Sequence, residues 1–255
     1  MTSAEKEVTA AFLVIGNEIL SGRTKDVNLG FLAEQLTALG IRLREARVVA
    51  DLEADIVAAV NETRARYDYV FTTGGIGPTH DDITAECIAK AFGLPLIRHS
   101  EAVARLERHY QPGMLNEARL RMANTPEGAT LIDNPVSTAP GFQIGNVFVM
   151  AGIPSVMQAM FDGLKGRLAG GAPVLSHTVS AFLPEGTIAK GLGDLQQRYS
   201  DLDIGSYPFH RQGKYGASFV LRGTERSRIE DAAAELRTLI ASLGAAPIEG
   251  EPAGS

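Results

Sequence analysis

The residues best suited to chemistry lie in one run, Thr72-Thr73-Gly74-Gly75-Ile76-Gly77-Pro78-Thr79-His80-Asp81-Asp82, which leaves an apolar stretch and enters a helical one. Glycines closely spaced after a strand let the backbone turn tightly and expose its N–H groups. The helix that follows turns its positive end towards them, so the place suits a phosphate. No lysine follows the glycines, which excludes the G-x-x-x-x-G-K-[ST] pattern, and the spacing is not G-x-G-x-x-G either. Charge compensation must come from elsewhere. Asp81 and Asp82 are the natural hard-oxygen ligands for a divalent cation (Mg²⁺, Mn²⁺ or Co²⁺), which would stand between their charge and that of the phosphate. A plainer interpretation makes one acid a helix cap and the glycines a turn, but one acid suffices for a cap and a short βα turn rarely needs three glycines.

Three further polar runs also follow apolar stretches. Gly16-Asn17-Glu18 with Ser21, Asp26 and Asn28 offers Glu18 and Asp26 as metal or hydroxyl contacts, and Asn28 reads as the cap of the next helix. Asn134, Pro135 and Thr138, and then Gly152, Pro154 and Ser155, bring rigid backbone close to something; a β-turn explains their spacing equally well. With Gly74, Gly75, Gly77 and Thr79, these residues are the candidate ligand contacts. Asp82, Asp81 and Glu18 are the candidate catalytic groups. The five histidines show no ligand spacing, which argues against zinc, and only His80 falls near the glycines, as a lining residue or an acid/base. Cys87 lies one turn into a helix and reads as an inert core thiol.

The elements that must position these groups alternate as short apolar runs and longer amphipathic ones, the pattern of a mostly parallel sheet covered on both faces. AAFLVIG, IRLREARVV and YDYVFTTGG read as strands. The stretches near 28–39, 52–66, 81–93, 100–111, 116–123 and 155–168 read as helices, the first from Leu29, Leu32, Leu36 and Leu39 at helical spacing. The expected organisation is an α/β domain over 8–169, a linker at Gly170–Pro173, and a small β-α-β-β-α domain over 174–244. The tail EGEPAGS reads as frayed, and His210–Tyr215 as a solvated turn rather than an anion-binding hairpin tip.

The chain has 255 residues, a net charge of −6 and one cysteine. That composition points to a reducing, cytoplasmic setting and away from a nucleic-acid-gripping protein. MTSAEKEV lacks the layout of a signal peptide and no apolar run is long enough to span a bilayer.

In order, GNEILSGRTKDVN, TTGGIGPTHDD, NPVSTAPGF and AGIPS resemble the molybdopterin-binding domain family (MoaB/MogA-like), and within it the N-terminal domain of CinA-type competence/damage-inducible proteins. The first two are also similar to the corresponding domain of eukaryotic FAD synthase. The resemblance covers residues 8–168 and implies a three-layer α/β/α fold that binds phosphorylated pterins or nucleotides. It further implies a metal-dependent pyrophosphatase acting on ADP-ribose or FAD, with potassium a further candidate cofactor and a homo-oligomer expected. Against the family pattern, Asp81 stands where arginine is usual, Asn17 where aspartate is common, and Val156 where CinA-type members carry glutamate. The alternative is a pterin- or nucleotide-binding protein of molybdenum cofactor biosynthesis without hydrolysis.

Overall fold

The computed structural model describes residues 7–211 and 213–252, and the chain divides into two compact units between Gly171 and Ala172. In the first unit the order is β1 (Val8–Ile15), α1 (Asn17–Leu20), α2 (Asn28–Ala38), β2 (Ile41–Val49), α3 (Glu53–Arg66), β3 (Tyr69–Thr73), α4 (Thr84–Phe92), β4 (Leu96–Arg98), α5 (Ser100–His109) and α6 (Glu117–Leu120). A 3₁₀ turn (Arg121–Ala123), β5 (Asn124–Pro126), β6 (Thr130–Ile132), β7 (Gly141–Ile144), β8 (Val147–Met150), α7 (Pro154–Leu164) and a second 3₁₀ turn (Lys165–Arg167) follow.

The central sheet has the order β2-β1-β3-β8-β7-β6. Its first four strands run parallel, while β7 is antiparallel to both β8 and β6. Strand β1 is apolar from Ala10 to Ile15 because both of its faces are covered there, and alternation sorts its side chains between two cores. Ala10, Phe12 and Val14 pack with Leu32 and Leu36 of α2 and with Met157, Met160 and Phe161 of α7. Ala11, Leu13 and Ile15 pack with Ile56 and Val60 of α3 and with Cys87 and Ile88 of α4. The result is the three-layer α/β/α arrangement. Gly93, with φ of 64°, ends α4 in the left-handed conformation where glycine is favoured.

The second unit is β9 (Leu175–Ala181), α8 (Glu185–Arg198), β10 (Asp203–Arg211), β11 (Lys214–Gly223), α9 (Arg226–Ser242) and β12 (Ile248–Glu249). Its antiparallel sheet, β10-β11-β9-β12, buries Val179, Ala181, Phe219 and Leu221 against Ile188 and Leu195 of α8 and Leu236 and Ile240 of α9. Here the tail departs from expectation. Instead of fraying, Ile248 and Glu249 pair with β9, the Gly250 N–H donates to the Thr178 carbonyl at 2.9 Å, and the Ser180 hydroxyl donates to the Gly250 carbonyl at 2.6 Å. The Glu249 carboxylate is held by Arg237 and His177, so backbone and charge together fix a segment whose composition alone looks disordered. Residues 253–255, Gln212 and most of MTSAEKEV (residues 1–6) lie outside the described residues. Among the described residues no helix is long and apolar enough to cross a membrane.

Candidate active site

Strands β1, β3 and β8 are adjacent and parallel, so the loops leaving their carboxyl ends are brought together where ligands of open α/β sheets bind. The contacts are close. Gly74 has φ of +97° and donates to the Met150 carbonyl at 3.2 Å, and a Cβ there would lie 2.0 Å from the Ile15 carbonyl oxygen, which only glycine avoids. Gly75 follows with φ of +66°, stitched to the first residue of α4: the Thr84 N–H donates to its carbonyl at 3.0 Å, and the Thr84 hydroxyl donates to the Gly74 carbonyl at 2.9 Å. No hydrogen bond among the described residues engages the N–H groups of Gly75, Ile76 or Gly77. Three successive free N–H groups beside a helix start make a concavity suited to an anion.

Helix α4 begins at Thr84, later than the acids at 81 and 82, and has no side-chain cap. Asp82 is therefore a loop residue. Its Oδ2 accepts the Thr79 N–H at 2.8 Å and the Thr79 hydroxyl, in the space that a side chain at Gly77 would need, while Oδ1 has no partner among the described residues. Asp81 is exposed. The Thr79 hydroxyl, which it shares with Asp82, first, and then its own backbone N–H hold its carboxyl below the ordinary range, with small contributions from His80 and Arg121. His80, 96% exposed, is not among the groups lining the cleft beside the glycine loop, contrary to the expectation for it. Burial pushes the Cys87 thiol up to about 12, as an inert core residue requires.

In the first loop the Glu18 carboxylate lies against Gly16, and the Ser21 hydroxyl donates to the Glu18 carbonyl at 3.3 Å. The cap of α2 is not Asn28. Asp26 takes that part, its Oδ1 accepting the Leu29 N–H at 2.9 Å, because Asn28 is already inside the helix and turned into the protein. Buried Asn28 donates through Nδ2 to the Gly152 carbonyl at 2.9 Å, tying the first loop to the fourth. Gly152 in turn sits so close to Gly74 that a Cβ on it would lie 3.3 Å from the Gly74 Cα. Asn28 Oδ1, Thr72 Oγ1 and Thr73 Oγ1 are buried without a partner among the described residues. Pro154 and Ser155 open α7 at the surface, and Val156 is 4% exposed within the core.

Asn134 shapes its loop from within. Its Oδ1 accepts from Val136 N and Ser137 N, and its Nδ2 donates to the Ser137 hydroxyl and the Ala139 carbonyl. No donor or acceptor group of its side chain is left without a partner. Pro135 is exposed, and Thr138 adopts φ of 67°, unusual for a β-branched residue, with its hydroxyl 3.1 Å from His109 Nδ1. Just beyond, Pro140 and Phe142 line the cleft together with Gly75, Gly77 and Asp82.

A family model described as a probable molybdopterin binding domain matches residues 11–170, and one described as the FAD synthase middle domain matches residues 173–246. The chain belongs to the molybdopterin-binding domain family. The crystal structure of CinA from Thermoplasma acidophilum is 35% identical with a TM-score of 0.60, covering 64% of this chain and 99% of that one. A protein of Pyrobaculum calidifontis is 36% identical over 214 residues, 78% of this chain and 80% of its own length. A probable FAD synthase of Caenorhabditis elegans is 30% identical over 260 residues, 91% of this chain and half of that protein. Within the family this chain is CinA-like, with similarity to FAD synthase.

Two residues that position or line this family site escape a sequence reading. Thr84 looks like any residue opening a helix, although the three-residue offset from Asp81 places its hydroxyl back over the glycines. Arg121 carries no signal at all, being one of two arginines in NEARLRMA; the fold brings its Nη2 to 3.3 Å from the Asp82 carbonyl and 3.9 Å from Glu86.

Proposed function

We propose that the Gly74–Thr79 loop binds the diphosphate of a nucleotide such as ADP-ribose or FAD, and that the protein hydrolyses the phosphoanhydride with the help of a divalent cation. The three unengaged N–H groups of Gly75, Ile76 and Gly77, beside a carboxylate with one free oxygen, carry this proposal. Phosphoryl chemistry asks mainly for positioning and charge neutralisation, and a nest of N–H groups provides both.

The donor set suits Mg²⁺, which takes one or two carboxylates and completes its shell with water and substrate phosphate. Asp82 Oδ1 and Asp81 are hard oxygen donors of that number. No group of three His, Cys, Asp or Glu poised for a metal exists among the described residues, and the proposal accordingly asks for two carboxylates. Bound there, the cation would neutralise phosphate charge and acidify a water molecule. Thr79 holds the Asp82 carboxylate in place through two donors to Oδ2, so that Oδ1 keeps its lone pairs unengaged. In this proposal Glu18, in the segment that follows neighbouring β1, would meet the substrate from that side.

The shortage of protein carboxylates also favours a second proposal, binding of a phosphorylated pterin or nucleotide without hydrolysis, in molybdenum cofactor biosynthesis. Incubating the purified chain with ADP-ribose or FAD separates the two. Mg²⁺, Mn²⁺ or Co²⁺ is supplied, with and without potassium, and AMP is the readout. Release of AMP supports hydrolysis; binding of the intact dinucleotide with no AMP under any condition leaves the binder.

A further inference from the structure

The cleft beside the glycine loop is lined by two carboxylates, Asp82 and Glu86, and by one cation among its described lining residues, Arg121. Arg121 arrives from the 3₁₀ turn ahead of β5, and its side chain is 32% exposed. A guanidinium presents five N–H donors in a planar fork that matches paired anionic oxygens. Here one hydrogen bond alone engages it among the described residues, at 3.3 Å to the Asp82 carbonyl, and the nearest Glu86 oxygen is 3.9 Å away. Both contacts are long for a charged donor. Neighbouring Arg119 is committed elsewhere, to the Met114 carbonyl and over the Tyr110 ring.

We propose that Arg121 is the phosphate-binding cation of this site, turning its fork from Glu86 to diphosphate oxygens held on the Gly75–Gly77 N–H groups. This rests on the proposal that a diphosphate occupies the loop, and it deepens it by naming the cation that makes an acidic cleft accept an anion. Glu86 is the internal anion that holds the guanidinium at the cleft until phosphate arrives. Removing Glu86 then strengthens binding through Arg121, so that the part of the gain owed to the freed guanidinium disappears when Arg121 is removed as well.

Calorimetry on the full chain without added metal tests this, with ADP-ribose as the probe, adenosine as its phosphate-free control, and melting temperatures to verify the fold. Arg121→Gln is expected to weaken ADP-ribose roughly tenfold or more, the scale of a charged hydrogen bond, and to leave adenosine unchanged. Arg121→Lys keeps part of the affinity, since it retains charge without the fork. Glu86→Gln tightens ADP-ribose, and that gain vanishes when Arg121→Gln is added. Arg119→Gln binds as the wild type does.

Equal affinity in Arg121→Gln, an equal loss for adenosine, or a Glu86→Gln gain that survives without Arg121 overturns the assignment while the loop's role stands. If Arg121→Gln does not fold, Glu86→Gln decides: unchanged or weaker ADP-ribose binding overturns it. A wild type that binds ADP-ribose no better than adenosine, both without metal and with Mg²⁺ added, removes the diphosphate site itself, and this assignment with it.

Discussion

The Asp82 carboxylate commits one oxygen to structure: Oδ2 closes the turn on Thr79, while Oδ1, which the proposal gives to a cation, has no partner among the described residues. Thr84 supports the same turn from the helix side. Replacing Thr84 by valine keeps its shape but removes the bond to the Gly74 carbonyl, and is expected to cost about 1–3 kcal/mol in urea denaturation, the scale for a buried acceptor left unpaired. An unchanged midpoint would show that the hydroxyl does not hold the loop. Residue types were legible at this scale where their partners were not. Two acids after three glycines announced themselves, but which oxygen would be spent on Thr79 depends on a backbone path that no spacing reveals. The exchange between Asn28 and Asp26 is similar. Both are good caps, and the choice was settled by the Gly152 carbonyl, 124 residues away, which claims Asn28.

Among the elements, the strands were the most legible: β1, covered on both faces, is apolar over most of its length, whereas edge strand β2 alternates. IRLREARVV matches β2 residue for residue, and the run at YDYVFTTGG contains β3 with its glycine exit. What escaped was short. β4 and β5 have three residues each and pair across a stretch containing α5 and α6, and four-residue α1 shows no period. The junction of β3 with β1 yields a prediction at this scale. Gly22 and Gly74 both have positive φ, yet a Cβ at Gly22 meets open space whereas one at Gly74 meets the Ile15 carbonyl at 2.0 Å. Gly22→Ala is expected to cost about 1 kcal/mol, the ordinary left-handed penalty, and Gly74→Ala at least about twice that, because two strand ends must separate. Equal shifts in melting temperature would contradict the close approach.

For the whole molecule, the two units differ in how they are held: the first by a double core around its sheet, the second by one core and a tail fixed through charge. Arg237 first, and His177 less, hold the Glu249 carboxyl below its ordinary 4.5, so its contribution to stability is present above that value and is lost as pH falls through the lowered one. Methyl signals of the second unit should report a urea midpoint that drops between about pH 6 and about pH 3, and more gently in Glu249→Gln. A variant with an unchanged slope would show that the tail is held by backbone alone. The net charge of −6 is no obstacle to an anionic ligand in a proposal that sets free N–H groups and a divalent cation against the acids at 81 and 82. That central claim is tested most directly by AMP release from saturating ADP-ribose with Mg²⁺, measured side by side for the wild type and Asp82→Asn, whose amide oxygen can still accept from Thr79. Release by the wild type and a fall of roughly a hundredfold or more in the variant, with ADP-ribose still bound, is the predicted result. Equal rates, or no AMP from the wild type, would contradict it.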